Sequence, residues 1–217
     1  MDDLESLTSL KSHSVIFDEM QYTKRDWRNR NKIKTPNGPL WLTVPVDVKG
    51  KYLQTIRETK IHGNAWKENH WKTLKNNYGK TPFFCELEED LKKIYLEEDF
   101  KYLSKLNRRL IDLICNYLEI KTIIRDSFEF NLSEGKTERL IGICEQVGAE
   151  EYVSGPSAKV YIDQKKFEDN KIKLSYIDYS GYQNYKQSGK GFEKNLSILD
   201  LIFNCGKCSY QFMKYLN

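Results

Sequence analysis

Seven apolar side chains, Leu103, Leu106, Leu110, Leu113, Ile114, Tyr117 and Leu118, recur three and four positions apart between residues 100 and 120. On a helix that spacing makes one apolar stripe, and a stripe this regular has to be covered by other elements. The segment predicts a long amphipathic helix that serves as the spine of the fold. Beyond it the period changes. Residues 122–125 predict a strand, 137–147 a helix stopped by Gly148, and 151–153 a second strand. Strand, helix and strand in about thirty residues predict a βαβ unit, with parallel strands and a right-handed crossover.

Upstream, strands are predicted at 15–17 and 40–46, with a third at 59–62. Asn64 is placed to cap a helix that carries Trp66, His70 and Leu74 on one face and stops at Gly79. Thr81 and Pro82 predict a restart, continued by the helical spacing of Phe84, Leu87, Leu91, Ile94 and Tyr95. Downstream come a short helix after Pro156, a strand at 172–179, a Gly-, Tyr- and Gln-rich loop at 180–193 and a last helix at 197–204. The alternation predicts an α/β fold: a mostly parallel or mixed central sheet with flanking helices, in one domain over 1–217 whose helical segment 64–120 forms a lobe.

The balance of 35 basic to 31 acidic residues gives a net charge of +4, too mild to demand nucleic acid. With 30% charged and 13% aromatic residues the chain is globular in composition, not disordered. No apolar run approaches the roughly 18 residues of a spanning helix, and the start, Met1 to Glu5, is acidic where a signal peptide is basic. A cytoplasmic protein with no membrane partner is expected. Of the five cysteines, Cys85, Cys115 and Cys144 fall in amphipathic helical patterns, which predicts reduced, buried thiols.

Basic charge is nonetheless clustered. Residues 24–34 hold Arg25, Arg28, Arg30, Lys32 and Lys34 among amides and beside Trp27, and they read as a loop between two strands. Arg28 and Arg30 with Asn29 and Asn31 suit a phosphate, pyrophosphate or carboxylate, because guanidinium presents paired donors in fixed geometry. The plainer alternative is a solvated turn. Alternation would set Trp27, Asn29, Asn31 and Ile33 on one side and Arg28, Arg30, Lys32 and Lys34 on the other. Gln21, just upstream, joins this group as a substrate contact.

Ser154, Gly155, Pro156 and Lys159 follow a strand and open a helix. Free N–H groups there make an anion site, or else the turn is an ordinary capped connection. Gly135, Lys136 and Thr137 lack the glycine that a phosphate loop needs five positions earlier, where Phe130 stands, so Thr137 is read as its own helix cap. Cys205 and Cys208 form a CxxC pair without the further ligands of a zinc site, and no metal is assigned. His70 is either a hydrogen-bonded core histidine or a base. Asp18, at a strand end, could share acid/base work with it if the fold brings them together.

The segments VIFDEMQYTKRDWRNRNKIKTPNGPLWLTVPV, WKENHWKTLKNNYGKTPFF, KTERLIGICEQVGAEEYVSGPSAKVYI and LSILDLIFNCG, in this order, resemble the WbqC-like protein family from Val15 to Gly206. The resemblance implies a bacterial protein of O-antigen and other surface-glycan gene clusters. It further implies a transferase on an activated or nucleotide-linked sugar, possible amino-sugar acylation included. Arg28, Asn29, Arg30, Lys34 and Gln21 would hold one anionic group, Ser154, Gly155 and Lys159 a second, while Asp18 or His70 moves the proton. The expected partner is a small anionic substrate, a sugar nucleotide or acyl donor; no cofactor is named. Family members begin with a further strand and a Gln-Pro, Pro-Trp turn that do not appear here, and a missing or misplaced start is expected to leave this chain short of one strand. The YVSGPSAK turn is also similar to one in α/β nucleotidylyltransferases, and a non-catalytic RNA- or protein-binding module stands as the alternative to an enzyme.

Overall fold

A computed structural model of the protein describes residues 12–25 and 27–214. The acidic start, Met1 to Glu5, lies outside the described residues. The chain divides into two compact units: unit 1 comprises Met1–Glu19 and Lys121–Gly181, unit 2 comprises Met20–Ile120 and Tyr182–Asn217. Strands and helices together make a mixed α/β fold.

Unit 1 holds β1 (His13–Ile16), β4 (Ile123–Asp126), α4 (Lys136–Val147), β5 (Glu151–Ser154), α5 (Gln164–Asp169) and β6 (Lys173–Tyr176). β1 pairs with β4 and β5 with β6, both parallel. The expected parallel pairing of β4 with β5 is therefore corrected: each takes a different neighbour, and among the described residues they belong to separate two-stranded sheets. The core of this unit is Ile141, Cys144, Ala158, Ile162, Phe167 and Ile172. Thr137 does not cap its helix. Gly135 takes the N-cap position, and the buried Thr137 hydroxyl instead accepts the backbone N–H of Asp163 at 3.1 Å, tying α4 to the start of α5. At the other end of α4, Gly148 adopts φ +65° and ψ +34° with open space where a Cβ would stand. Gly148→Ala is thus expected to lose about 1 kcal/mol from the left-handed backbone alone, read as a shifted urea midpoint at unchanged slope.

Unit 2 contains β2 (Arg30–Thr35), β3 (Gly38–Thr43), α1 (Ala65–Tyr78), α2 (Glu88–Lys92), α3 (Leu103–Tyr117) and α6 (Ile198–Cys205). β2 and β3 form an antiparallel hairpin closed by Pro36 and Asn37. The predicted basic loop is thereby corrected, since from Arg30 onward it is a strand. The amphipathic spine appears as α3, which buries Leu103, Leu106 and Leu113. The core gathers Trp66, Trp71, Leu74 and Tyr78 of α1, Leu91 of α2, Ile33 of β2 and Ile202 and Phe203 of α6. Thr81 and Pro82 do not restart a single helix; a 3₁₀ turn at Phe84–Glu86, the short α2 and a π turn at Lys93–Glu97 follow instead. The predicted strand at 59–62 is reduced to isolated bridges of Lys60 with Tyr102 and Ile61 with Val46. Cys144 is buried as expected, but Cys85 is exposed and Cys115 only partly covered.

Candidate functional site

In an antiparallel pair, side chains two apart share a face and cross-strand partners stand side by side. Lys32 lies opposite Trp41 on the β2–β3 hairpin, with Arg30 and Lys34 to either side on the same strand. The Arg30 guanidinium sits 4.2 Å from the centre of the Trp41 ring, and the Lys32 ammonium 5.0 Å from Trp41 and 5.7 Å from Trp27. The two indoles meet at 4.9 Å with a 50° tilt, and both are exposed, Trp27 at 55% and Trp41 at 36%. Cations stacked on indole faces at the surface stay in place without a carboxylate, so their charge is left for another anion. Trp27 stands with the cations, contrary to the simple alternation, because the chain turns before it enters β2. Ile33 faces the other way into the core.

The segment leading into this hairpin is held from below. Arg28 donates to the Thr23 hydroxyl at 2.5 Å, and its carbonyl accepts from Asn107 of α3 at 2.9 Å. Asn29 bonds the Val44 carbonyl through its side chain at 2.8 Å. Arg30 donates to the Arg25 carbonyl, and Gln21 to the Tyr52 carbonyl at 2.6 Å. Tyr22, buried beside this segment, has its phenol pKa raised by burial, partly opposed by Arg28 and Arg30.

Lys34 differs from the half-buried Arg30 and Lys32 on the same face of the strand. It is buried, and its ammonium donates to the Gln187 side-chain oxygen at 3.1 Å and the Gly191 carbonyl at 2.6 Å. From there a polar network runs into the core. Gln187 donates to the Tyr185 hydroxyl at 3.1 Å, and Tyr185 donates to one oxygen of Asp200 at 2.7 Å. The other Asp200 oxygen accepts from Tyr78 at 2.8 Å, and the Tyr78 hydroxyl accepts the backbone N–H of Lys34 at 2.8 Å. Asp200 is fully buried. Burial and the Asp200 carboxylate both raise the Tyr78 phenol pKa, as do burial and the Asp200 bond at Tyr185, so both hydroxyls stay protonated and donate. The network pins residues 185–193 over β2, and Ser197 N–H adds a bond to the Lys32 carbonyl at 2.7 Å. Tyr78, Tyr185, Gln187 and Asp200 were not singled out from sequence. The one available signal was Asp200, a carboxylate set inside the apolar run of α6.

His70 lies in unit 2 as a core residue, 7% exposed, with its Nε2 at 3.2 Å from the Thr43 carbonyl and its ring edge-on to Trp66 and Tyr95. Burial lowers its pKa to about 4, against the opposing pull of the Thr43 carbonyl, so it is neutral at pH 7. Asp18 belongs to unit 1, two residues beyond the end of β1.

Ser154, Gly155 and Lys159 also belong to unit 1, at the carboxyl end of β5. Ser154 is buried, and Gly155 opens a 3₁₀ helix of only five residues, Pro156–Val160. The short helix expected after Pro156 is present as this 3₁₀ segment, which aligns fewer peptide dipoles than a longer α-helix. Lys159 rests 5.0 Å over the Tyr176 ring. Among the described residues no cluster of three or more His, Cys, Asp or Glu side chains could hold a metal ion, and no helix is long and apolar enough to cross a membrane.

Two parallel strand pairs, an antiparallel hairpin with cations stacked on exposed indoles, and a buried polar network thus characterise this mixed α/β protein. The chain belongs to the WbqC-like protein family, whose model matches residues 7–212. An uncharacterized protein of Mycobacterium tuberculosis, Rv1507c, is 51% identical over 201 residues, covering 93% of this chain and 87% of that relative. No solved structure shows a significant match.

Proposed function

We propose that this WbqC-like protein is a transferase of bacterial surface-glycan biosynthesis that takes a nucleotide-linked sugar on the β2–β3 hairpin of unit 2. The observation that carries the proposal is the contact set of Trp27 and Trp41 with Arg30 and Lys32 on one exposed face. A base or sugar ring stacks on indole, and a pyrophosphate needs cations within a few ångströms of that platform. Lys34 extends the row. Its present acceptors are both neutral carbonyl oxygens, and a phosphate oxygen is the stronger acceptor for an ammonium. Arg28 and Asn29 hold the approach to the hairpin, which explains why so many hydrogen-bonding heads are concentrated there. Transfer of an acyl group to an amino sugar is the reaction we favour within this class.

Thermal-shift and calorimetric titration against a panel of sugar nucleotides, free nucleotides, acyl-coenzyme A donors and a single-stranded RNA tests the assignment. A sugar nucleotide is expected to bind, and Trp41→Ala to weaken it by the roughly 1–3 kcal/mol that a stacked ring contributes, about a five- to 150-fold change in Kd. Failure of every sugar nucleotide to bind overturns the proposal. RNA binding with a steep logarithmic salt slope would replace it with a binding module.

A further inference from the structure

We infer that the loop at residues 48–55 of unit 2 is an attachment point for an anionic lipid bilayer, through which the protein rests on a membrane without spanning it. Tyr52 and Leu53 at its tip are, among the described residues, the most solvent-open apolar side chains of this unit, 74% and 85% exposed. A lone exposed leucine needs no explanation, but here two adjacent large apolar residues are held out together by a built support. Tyr22 N–H bonds the Gln54 carbonyl at 2.9 Å and Ile56 N–H the Met20 carbonyl at 2.9 Å, so both sides of the loop base are fixed. Gln54 reaches back to the Asp47 carbonyl at 2.9 Å, and Lys51 N–H closes a turn on Val48 with Gly50 at φ +72°. Below the tip, Tyr22, Ile56 and Leu103 form a small core against which Val48 packs. The apolar tip is therefore rigidly presented and cannot fold back into that core without breaking these bonds.

Charge identifies the partner. The stretch VKGKYLQTIR, residues 48–57, contains Lys49, Lys51 and Arg57 and no carboxylate. Lys24 adds a further ammonium, 5.7 Å over the Tyr52 ring. The flanking carboxylates are engaged, Asp47 with His62 at 2.8 Å and Glu58 with the Thr55 backbone and hydroxyl at 2.9 Å. An aromatic and an aliphatic side chain in one loop with Lys49 and Lys51, and with Lys24 over the ring, match the interface of a bilayer, where the ring and leucine enter the headgroup layer and the ammonium groups meet lipid phosphate. An acidic protein would meet the lysines but leave Leu53 uncovered.

Co-sedimentation of the full chain with phosphatidylcholine vesicles, with and without phosphatidylglycerol, tests this. Binding is expected to phosphatidylglycerol vesicles alone, to fall by about fivefold for each lysine in Lys49→Gln and Lys51→Gln, and to be lost in Leu53→Glu. Because all three positions are on the surface and off the hairpin, sugar-nucleotide binding and thermal midpoint should be unchanged in these variants, which separates failure here from failure of the proposed transferase. Absence of binding at low salt overturns the inference. So does binding that Leu53→Glu leaves intact, and if polyglutamate then competes fully, the loop is a docking point for an acidic protein instead.

Discussion

Asp200→Ala is expected to destabilise unit 2 by about 2–6 kcal/mol, since two hydroxyls lose their carboxylate acceptor at roughly 1–3 kcal/mol each. Two hydroxyls, of Tyr78 and Tyr185, lose their acceptor at once; Tyr78 is almost wholly buried, and the half-buried Tyr185 ring contacts Phe192 and Phe212. The network's ammonium, Lys34, is left with neutral partners and no carboxylate to balance it. Against a total stability of about 5–15 kcal/mol, such a loss lowers the fraction of folded protein under mild denaturant. Asp200→Asn gives the discriminating comparison. Its amide retains one acceptor but turns a donor toward the second hydroxyl, so roughly half of the loss should remain. Tyr185→Phe, which removes the donation to Asp200 and the acceptance from Gln187, is expected to cost about 1–3 kcal/mol and to increase cleavage by protease within residues 186–193. Equilibrium urea unfolding of the three variants checks the order; equal stability of Asp200→Ala and the native chain would show that the network contributes nothing.

The parts of the fold carried by hydrophobic period were legible in the sequence, and those carried by polar chemistry were not. The stripe of α3 and the alternation of β4, α4 and β5 follow from apolar spacing alone, and both are present. The partner of a strand does not follow from spacing, which is why β4 was paired with β5 when it joins β1. The hairpin was missed because Arg30, Asn31, Lys32 and Lys34 are poor strand residues by propensity. Its signal was still there: Pro36 and Asn37, followed by Gly38, break the chain between the two strand segments as a hairpin turn does, and stacking of Arg30 and Lys32 on Trp41 compensates for the polar strand. In the candidate site the cations were visible as types in a row. The depth of Lys34 was not, since its burial depends on residues 187 and 191, more than 150 positions away. Thr137 shows the same limit, because a hydroxyl beside a helix start reads as a cap whichever backbone it serves.

Acidification should destabilise the protein between about pH 6.5 and pH 4 by on the order of 3 kcal/mol through His70 alone. In the folded chain burial holds the imidazole pKa at about 4, while in the unfolded chain it returns to 6.5. Between those values the unfolded state binds a proton that the folded state refuses, so stability rises with pH throughout the window and is constant above it. Neutral His70 donates from Nε2 to the Thr43 carbonyl at the end of β3, and charging it would require a bare cation among Trp66, Tyr95 and the rest of the core. His70→Gln preserves a donor for that carbonyl and removes the titration. The difference in unfolding free energy between His70→Gln and the native chain, measured across the window, should therefore change by about the full amount in favour of the variant at low pH, while carboxylate effects common to both cancel. A pH-independent difference would mean that the imidazole is protonated in place, and the same variant then becomes the test of proton transfer: loss of activity with unchanged sugar-nucleotide affinity would assign His70 to the chemistry instead of the core.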